Sequence, residues 1–85
     1  MEIRLTIEGQ DDLAYWKKNK NIIVLKRIAK LLESIKETPF HGIGKPEALK
    51  HNLSGFWSRR IDSEHRVLYE VEAEIIWIHS LKGHY

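Results

Sequence analysis

The sequence has no cysteine, two prolines and one methionine in 85 residues. Without cysteine there is no disulfide framework, no thiolate zinc site and no thiol nucleophile. No apolar run approaches the ~18 residues of a membrane-crossing helix, and the first residues lack the apolar core of a signal peptide. The expectation is a soluble protein of a reducing cytoplasm, with no membrane association. A phosphate-cradling GxxxxGK, a nucleophile-elbow serine and a paired-acid two-metal pattern are all missing. The five histidines (His41, His51, His65, His79, His84) fall at spacings that match no compact ligand motif, so no metal and no cofactor are expected. The excess of positive over negative charge is also small. Fourteen Lys/Arg against twelve Asp/Glu leave a formal net charge of only +2.

What is present is a pattern of one small domain, residues 1–85. Ile3 and Leu5 alternate with Glu2 and Arg4, as in a strand. Thr6 is placed to cap a short helix whose first turns carry Glu8, Asp11 and Asp12, and Leu13 and Trp16 supply its apolar side. Lys17–Asn21 reads as a turn. From Ile22 to Lys36, the apolar residues Leu25, Ile28, Leu32 and Ile35 recur every three or four positions, an amphipathic helix. Thr38–Leu49 holds two prolines and two glycines and reads as loop. Three antiparallel strands follow, at Gly55–Ile61, His65–Val71 and Ile75–Leu81, joined by Asp62–Glu64 and Glu72–Glu74. Helices first and a meander second predict an α+β fold: two N-terminal helices packed on one face of a small, mainly antiparallel sheet.

Charge acquires meaning when it is placed. Between His41 and Arg60 stand Lys45, Lys50, Arg59 and Arg60 against the single acid Glu47. A hairpin turning through Asp62–Glu64 sets Arg60 opposite Arg66, and like charges directly opposite are unfavourable unless an anion such as phosphate lies between them. A nearby acid, Glu64 or Glu70, is the alternative partner. His84, with an ordinary pKa near ~6.5, is suited to give or take a proton at neutral pH. Glu47 is a candidate base or a cation's partner. Phe56 and Trp57 are candidates for stacking on bases or for the core.

The run Thr38-Pro39-Phe40, Gly42, Gly44-Lys45-Pro46-Glu47, then Leu49 through Ile61, continued by Glu64-His65-Arg66, Tyr69 and the terminal His84-Tyr85, resembles the YoeB toxins. These are a branch of the RelE superfamily of bacterial toxin–antitoxin systems, and the likeness covers the chain from Trp16 to its last residue. It implies a microbial-ribonuclease-like fold and a metal-independent endoribonuclease that cleaves mRNA in the ribosomal A site. It also implies a homodimer neutralised by an acidic YefM-type antitoxin. The family's catalytic glutamate, arginine and histidine fall on Glu47, Arg66 and His84, and its supporting positions on Lys50, Arg60 and Tyr85. Lys82 and Gly83 depart from the arginine and bulky residue of many relatives. Lysine loses the bidentate fork for phosphate, and glycine is expected to loosen the tail. A different class on the same scaffold, a ParE-like gyrase inhibitor, is the competing expectation.

Overall fold

Thr6 opens the first helix as its position predicts: its Oγ1 accepts from the Gly9 amide at 3.1 Å, satisfying one of the free donors of the first turn. The computed structural model describes residues 1–83. Strand β1 spans Glu2–Leu5, helix α1 Ile7–Lys18 and helix α2 Ile22–Glu37. Asn21 caps α2 through its side chain, which accepts from the Val24 amide at 3.1 Å. Strands β2 (Glu47–Ala48), β3 (Trp57–Arg60), β4 (Arg66–Glu72) and β5 (Ile75–Ser80) follow, with a 3-10 turn at His51–Leu53.

The five strands lie in the order β1-β5-β4-β3-β2. Only β1 runs parallel to its neighbour, pairing Glu2 with Ile75 and Leu5 with Ile78; the other pairings are antiparallel. The stretch expected to be all loop thus contributes a short edge strand, because Glu47 and Ala48 pair with Ser58 and Trp57. The hairpin register falls where the sequence put it, with Arg60 opposite Arg66. Asp62 closes that turn: its Oδ1 accepts from the amides of Glu64 and His65 at 2.8 and 2.7 Å.

One face of the sheet is covered. Val67, Tyr69, Ile76 and Ile78 pack there against Trp16, Val24, Ile28, Leu31 and Ile35 of the two helices. Burying such side chains is worth about 1.5–3 kcal/mol each, and the three-four spacing of α2 is what directs its share inward. Gly9 lets α1 lie against β5: a Cβ there would sit 2.5 Å from the Ile78 carbonyl oxygen. Because side chains alternate along a strand, the residues between the core positions point to the other, open face. Those residues are Glu47, Ser58, Arg60, Arg66, Leu68 and Glu70; Glu47 and Arg60 are exposed, while Ser58 and Leu68 are buried.

Candidate active site

The site grows from the pairing of three strands. Ser58 of β3 lies opposite Glu47 of β2 on one side and Leu68 of β4 on the other. Arg66 stands two residues before Leu68 and therefore on the same open face. Its Nη1 reaches 3.4 Å from Glu47 Oε1 and 3.4 Å from Ser58 Oγ. Arg66 is well enclosed, with 12% of its side chain exposed, whereas Glu47 is open at 61%. An arginine held by packing is thus in contact with a carboxylate open to solvent, so a substrate group reaching both must displace that contact. Lys50 lines the same shallow cleft as Glu47. Arg60 faces Arg66 across the ladder, and its amide is tied to the Gly44 carbonyl at 2.7 Å. Of the two acids considered as partners for these arginines, Glu64 lies beside His65 and Glu70 beside His79; the acid at Arg66 is Glu47.

Behind the site, Arg59 is fully buried and uses all five guanidinium donors. Nε donates to the Tyr69 hydroxyl at 3.1 Å; Nη1 donates to Ser34 Oγ at 2.7 Å and the Ile43 carbonyl at 3.2 Å. Nη2 donates to the carbonyls of Thr38 and His41. None of these acceptors is a carboxylate. The guanidinium serves as a staple, binding the chain between α2 and β2 to the sheet and so fixing the approach to Glu47. Tyr69 shares in it by donating to the Pro39 carbonyl at 2.6 Å. Burial pushes the Tyr69 phenol above its ordinary value, and the hydrogen bond and charge of Arg59 offset part of that rise. The sequence reading counted Arg59 only as one more positive charge.

His84 and Tyr85 lie outside the described residues, but the chain leading to them is held firmly. Trp16 Nε1 donates to the Leu81 carbonyl at 2.9 Å. Asp12 Oδ2 accepts from the Leu81 amide at 3.0 Å and from Ser80 Oγ at 3.1 Å. The Gly83 amide donates to His65 Nδ1 at 3.0 Å, and the Gly83 carbonyl accepts from the Arg66 amide at 3.0 Å. Gly83 has a φ of +101°, a conformation that favours glycine. Both polar groups of Gly83 are bonded, and the tail it was expected to loosen lies outside the described residues. The sequence reading placed Asp12 in the helix's first turns, Trp16 on its apolar side and His65 in a strand; their part in holding the tail went unseen because they lie 65 or more, or about 18, residues from the atoms they hold.

The two candidate aromatics divide. Trp57 turns to the covered side, with its ring centroid 5.0 Å from that of Phe40, while Phe56 packs on His79 at 4.8 Å. Among the described residues no group of three or more His, Asp or Glu side chains is gathered for a metal ion. No described helix is long and apolar enough to cross a membrane.

A family model of the YoeB-like toxins of bacterial type II toxin–antitoxin systems matches residues 5–85. The toxin YoeB of Escherichia coli strain K12 is 47% identical over 85 residues, covering all of both chains. Two solved Staphylococcus aureus structures, a heterotetrameric YoeB–YefM toxin–antitoxin complex and a YoeB dimer, each align with all of this chain and 98% of their own. Both are 42% identical to it, with TM-scores of 0.88 and 0.89.

Proposed function

The chain belongs to the YoeB-like toxins of bacterial type II toxin–antitoxin systems, and from that membership we propose that it is an endoribonuclease that cuts mRNA in the ribosomal A site and so stops translation. The observation that carries the reading is the approach of Glu47 Oε1 to Arg66 Nη1 at 3.4 Å on the open sheet face, with Arg60 opposite. RNA supplies its own nucleophile, the 2′-hydroxyl, so the protein has only to move protons and stabilise charge. Glu47 takes the 2′-hydroxyl proton as O2′ attacks phosphorus. The P–O5′ bond breaks, and His84 gives its proton to the leaving O5′. Arg66, with Lys50 and Arg60, holds the phosphoryl oxygens as their negative charge grows. The product is a 2′,3′-cyclic phosphate, or the 3′-phosphate that its hydrolysis leaves. Tyr85 serves substrate binding, by stacking on a base or by placing the tail.

The ribosome and a translated message are the partners this chemistry requires, in the cytoplasm. By likeness to the Staphylococcus aureus proteins, the chain forms a homodimer and is neutralised by a YefM-type antitoxin. An acidic antitoxin segment competes with RNA phosphates for Lys50, Arg60 and Arg66, and salt weakens their encounter.

Primer extension on a translated message, with purified protein and ribosomes, tests the reading. The wild type should cut within A-site codons. Glu47→Ala, Arg66→Ala and His84→Ala should each fold and lose about 10²–10⁴-fold in rate where an acid or base is removed. An intact message together with inhibited gyrase would replace the nuclease reading with the ParE-like one.

A further inference from the structure

The open face continues past Arg66 into a cluster that the cleavage chemistry does not use. Glu70 lies four residues further along β4, about 13 Å away at ~3.3 Å per residue, and alternation sends it to the same face. Trp57 pairs with Tyr69, so Phe56, the preceding residue, stands beside Glu70 on that face. Trp77 flanks Glu70 from β5. The ladder between β4 and β5 shifts between Leu68 and Tyr69, which pair with Ser80 and Ile78, leaving His79 as the extra residue of a bulge. Bulges re-aim side chains. Here the imidazole lies on the Phe56 ring, centroids 4.8 Å apart and planes at 32°.

His79 Nε2 stands 3.5 Å from Glu70 Oε1. That nitrogen is shielded from water and makes no hydrogen bond. Yet each side chain keeps about a quarter of its surface open, 28% for His79 and 26% for Glu70. The result is a tilted Phe56–His79 ring pair edged by a carboxylate, on the face that also carries Arg66 and Arg60.

We propose that Phe56, His79 and Glu70 form a base-reading subsite for a nucleotide beside the cut phosphate, selecting bases that carry an amino group. The proposal rests on the nuclease reading and adds its nucleotide preference. Rings that stack on a nucleobase bind any base, since every base has a π-face. Discrimination must come from the edge, and a carboxylate accepts from an exocyclic amine. Adenine, cytosine and guanine have such an amine; uracil has none. A carboxylate near a polyanion is repelled unless it meets a donor, and uracil offers only its ring N3–H, flanked by two carbonyl oxygens that repel a carboxylate; this turns Glu70 into a filter against uracil. Trp77 is engaged elsewhere, with the Arg4 guanidinium 5.9 Å from its ring centroid.

The test is the nucleotide profile of cuts made by purified protein on a translated message, read by primer extension at many sites. The wild type should use uracil at one position beside the cut roughly ten-fold less than the amino-bearing bases. Glu70→Ala should level that difference, uracil rising to the use of the amino-bearing bases. Glu70→Gln, which keeps the side-chain shape, serves if the alanine variant does not fold. His79→Ala should lower use of all bases at that position together. A wild-type profile without uracil depletion, or one unchanged by folded Glu70 variants, overturns the subsite and leaves the nuclease standing. A changed oligomeric state with an unchanged profile would make Glu70 an interface residue and overturn it as well. A wild type that cuts nothing removes the nuclease reading itself.

Discussion

The amide of Gly83 donates to Nδ1 of His65 at 3.0 Å, while the Gly83 carbonyl accepts from the amide of Arg66, the next residue along β4. The same two-residue segment therefore holds the end of the described chain and carries the site's arginine. The bond requires His65 Nδ1 to be an acceptor, with any proton of the neutral ring on Nε2. His65 is braced from behind, its ring edge-on to Trp16 with centroids 4.9 Å apart.

In the proposed cleavage, His65 is a positioning residue that acts on His84 through Gly83. His65→Leu should cut the cleavage rate by about 10²-fold, the loss typical of a small misplacement of a reacting group, with little change in the affinity for RNA. His65→Asn, whose Oδ1 replaces Nδ1 as acceptor, should recover most of the rate. Single-turnover cleavage on ribosomes measures both. Equal loss in the two variants would assign His65 to packing alone.

Replacing Arg59 should destabilise the fold well beyond the loss of a surface charge. Arg59→Met strands acceptors at Tyr69, Ser34, Thr38, His41 and Ile43, at a cost of at least about 3 kcal/mol in thermal or urea unfolding. Arg59→Lys should rescue little, since an ammonium lacks the planar fork that reaches both sides of the loop. Protease cutting between residues 38 and 46 should rise before global unfolding.

Stability should fall in alkali through Tyr69. Its folded-state value lies above the ordinary one because burial opposes the phenolate. The folded protein therefore holds that proton more tightly than the unfolded chain. This contribution is complete below about pH 10 and is lost as pH rises through the raised folded value. Melting temperature followed from pH 8 upward should decline more steeply in the wild type than in Tyr69→Phe. At neutral pH the phenylalanine variant should itself be about 1–3 kcal/mol less stable, since Arg59 Nε and the Pro39 carbonyl lose their partner.

Gly9→Ala should cost about 1–3 kcal/mol, although alanine is the better helix former. The added methyl must displace the Ile78 carbonyl oxygen, now 2.5 Å from where it would sit. Equilibrium denaturation decides it, and a stabilised variant would show that α1 moves off β5 without penalty.

Much of the scaffold was legible along the chain because it depends on neighbours in sequence. The Thr6 cap, the three-four spacing of α2 and the Arg60–Arg66 register across Asp62–Glu64 are local matters of backbone valence, helical period and turn length. The edge strand at Glu47–Ala48 was not legible. Two residues among prolines and glycines carry no period, and they become a strand only because β3 offers its free edge. The roles of Arg59, Asp12 and Trp16 were hidden for the same reason: their partners are remote in sequence, and their identity as charged or aromatic residues fits a surface as well as a clamp.

By itself, then, the sequence determined the order of the two helices and of every strand but β2, the inward stripes that hold the helices to one face, and the toxin family that its central run resembles. Tertiary structure alone decided that β1 closes the sheet in parallel beside β5, and that Glu47 meets Arg66 at 3.4 Å. It also decided that His79 leaves the ladder to lie on Phe56. Periodicity reports which way a side chain points. Which side chain it then meets depends on strand order and register shifts, and these are set by how the whole chain buries its apolar surface and satisfies its backbone.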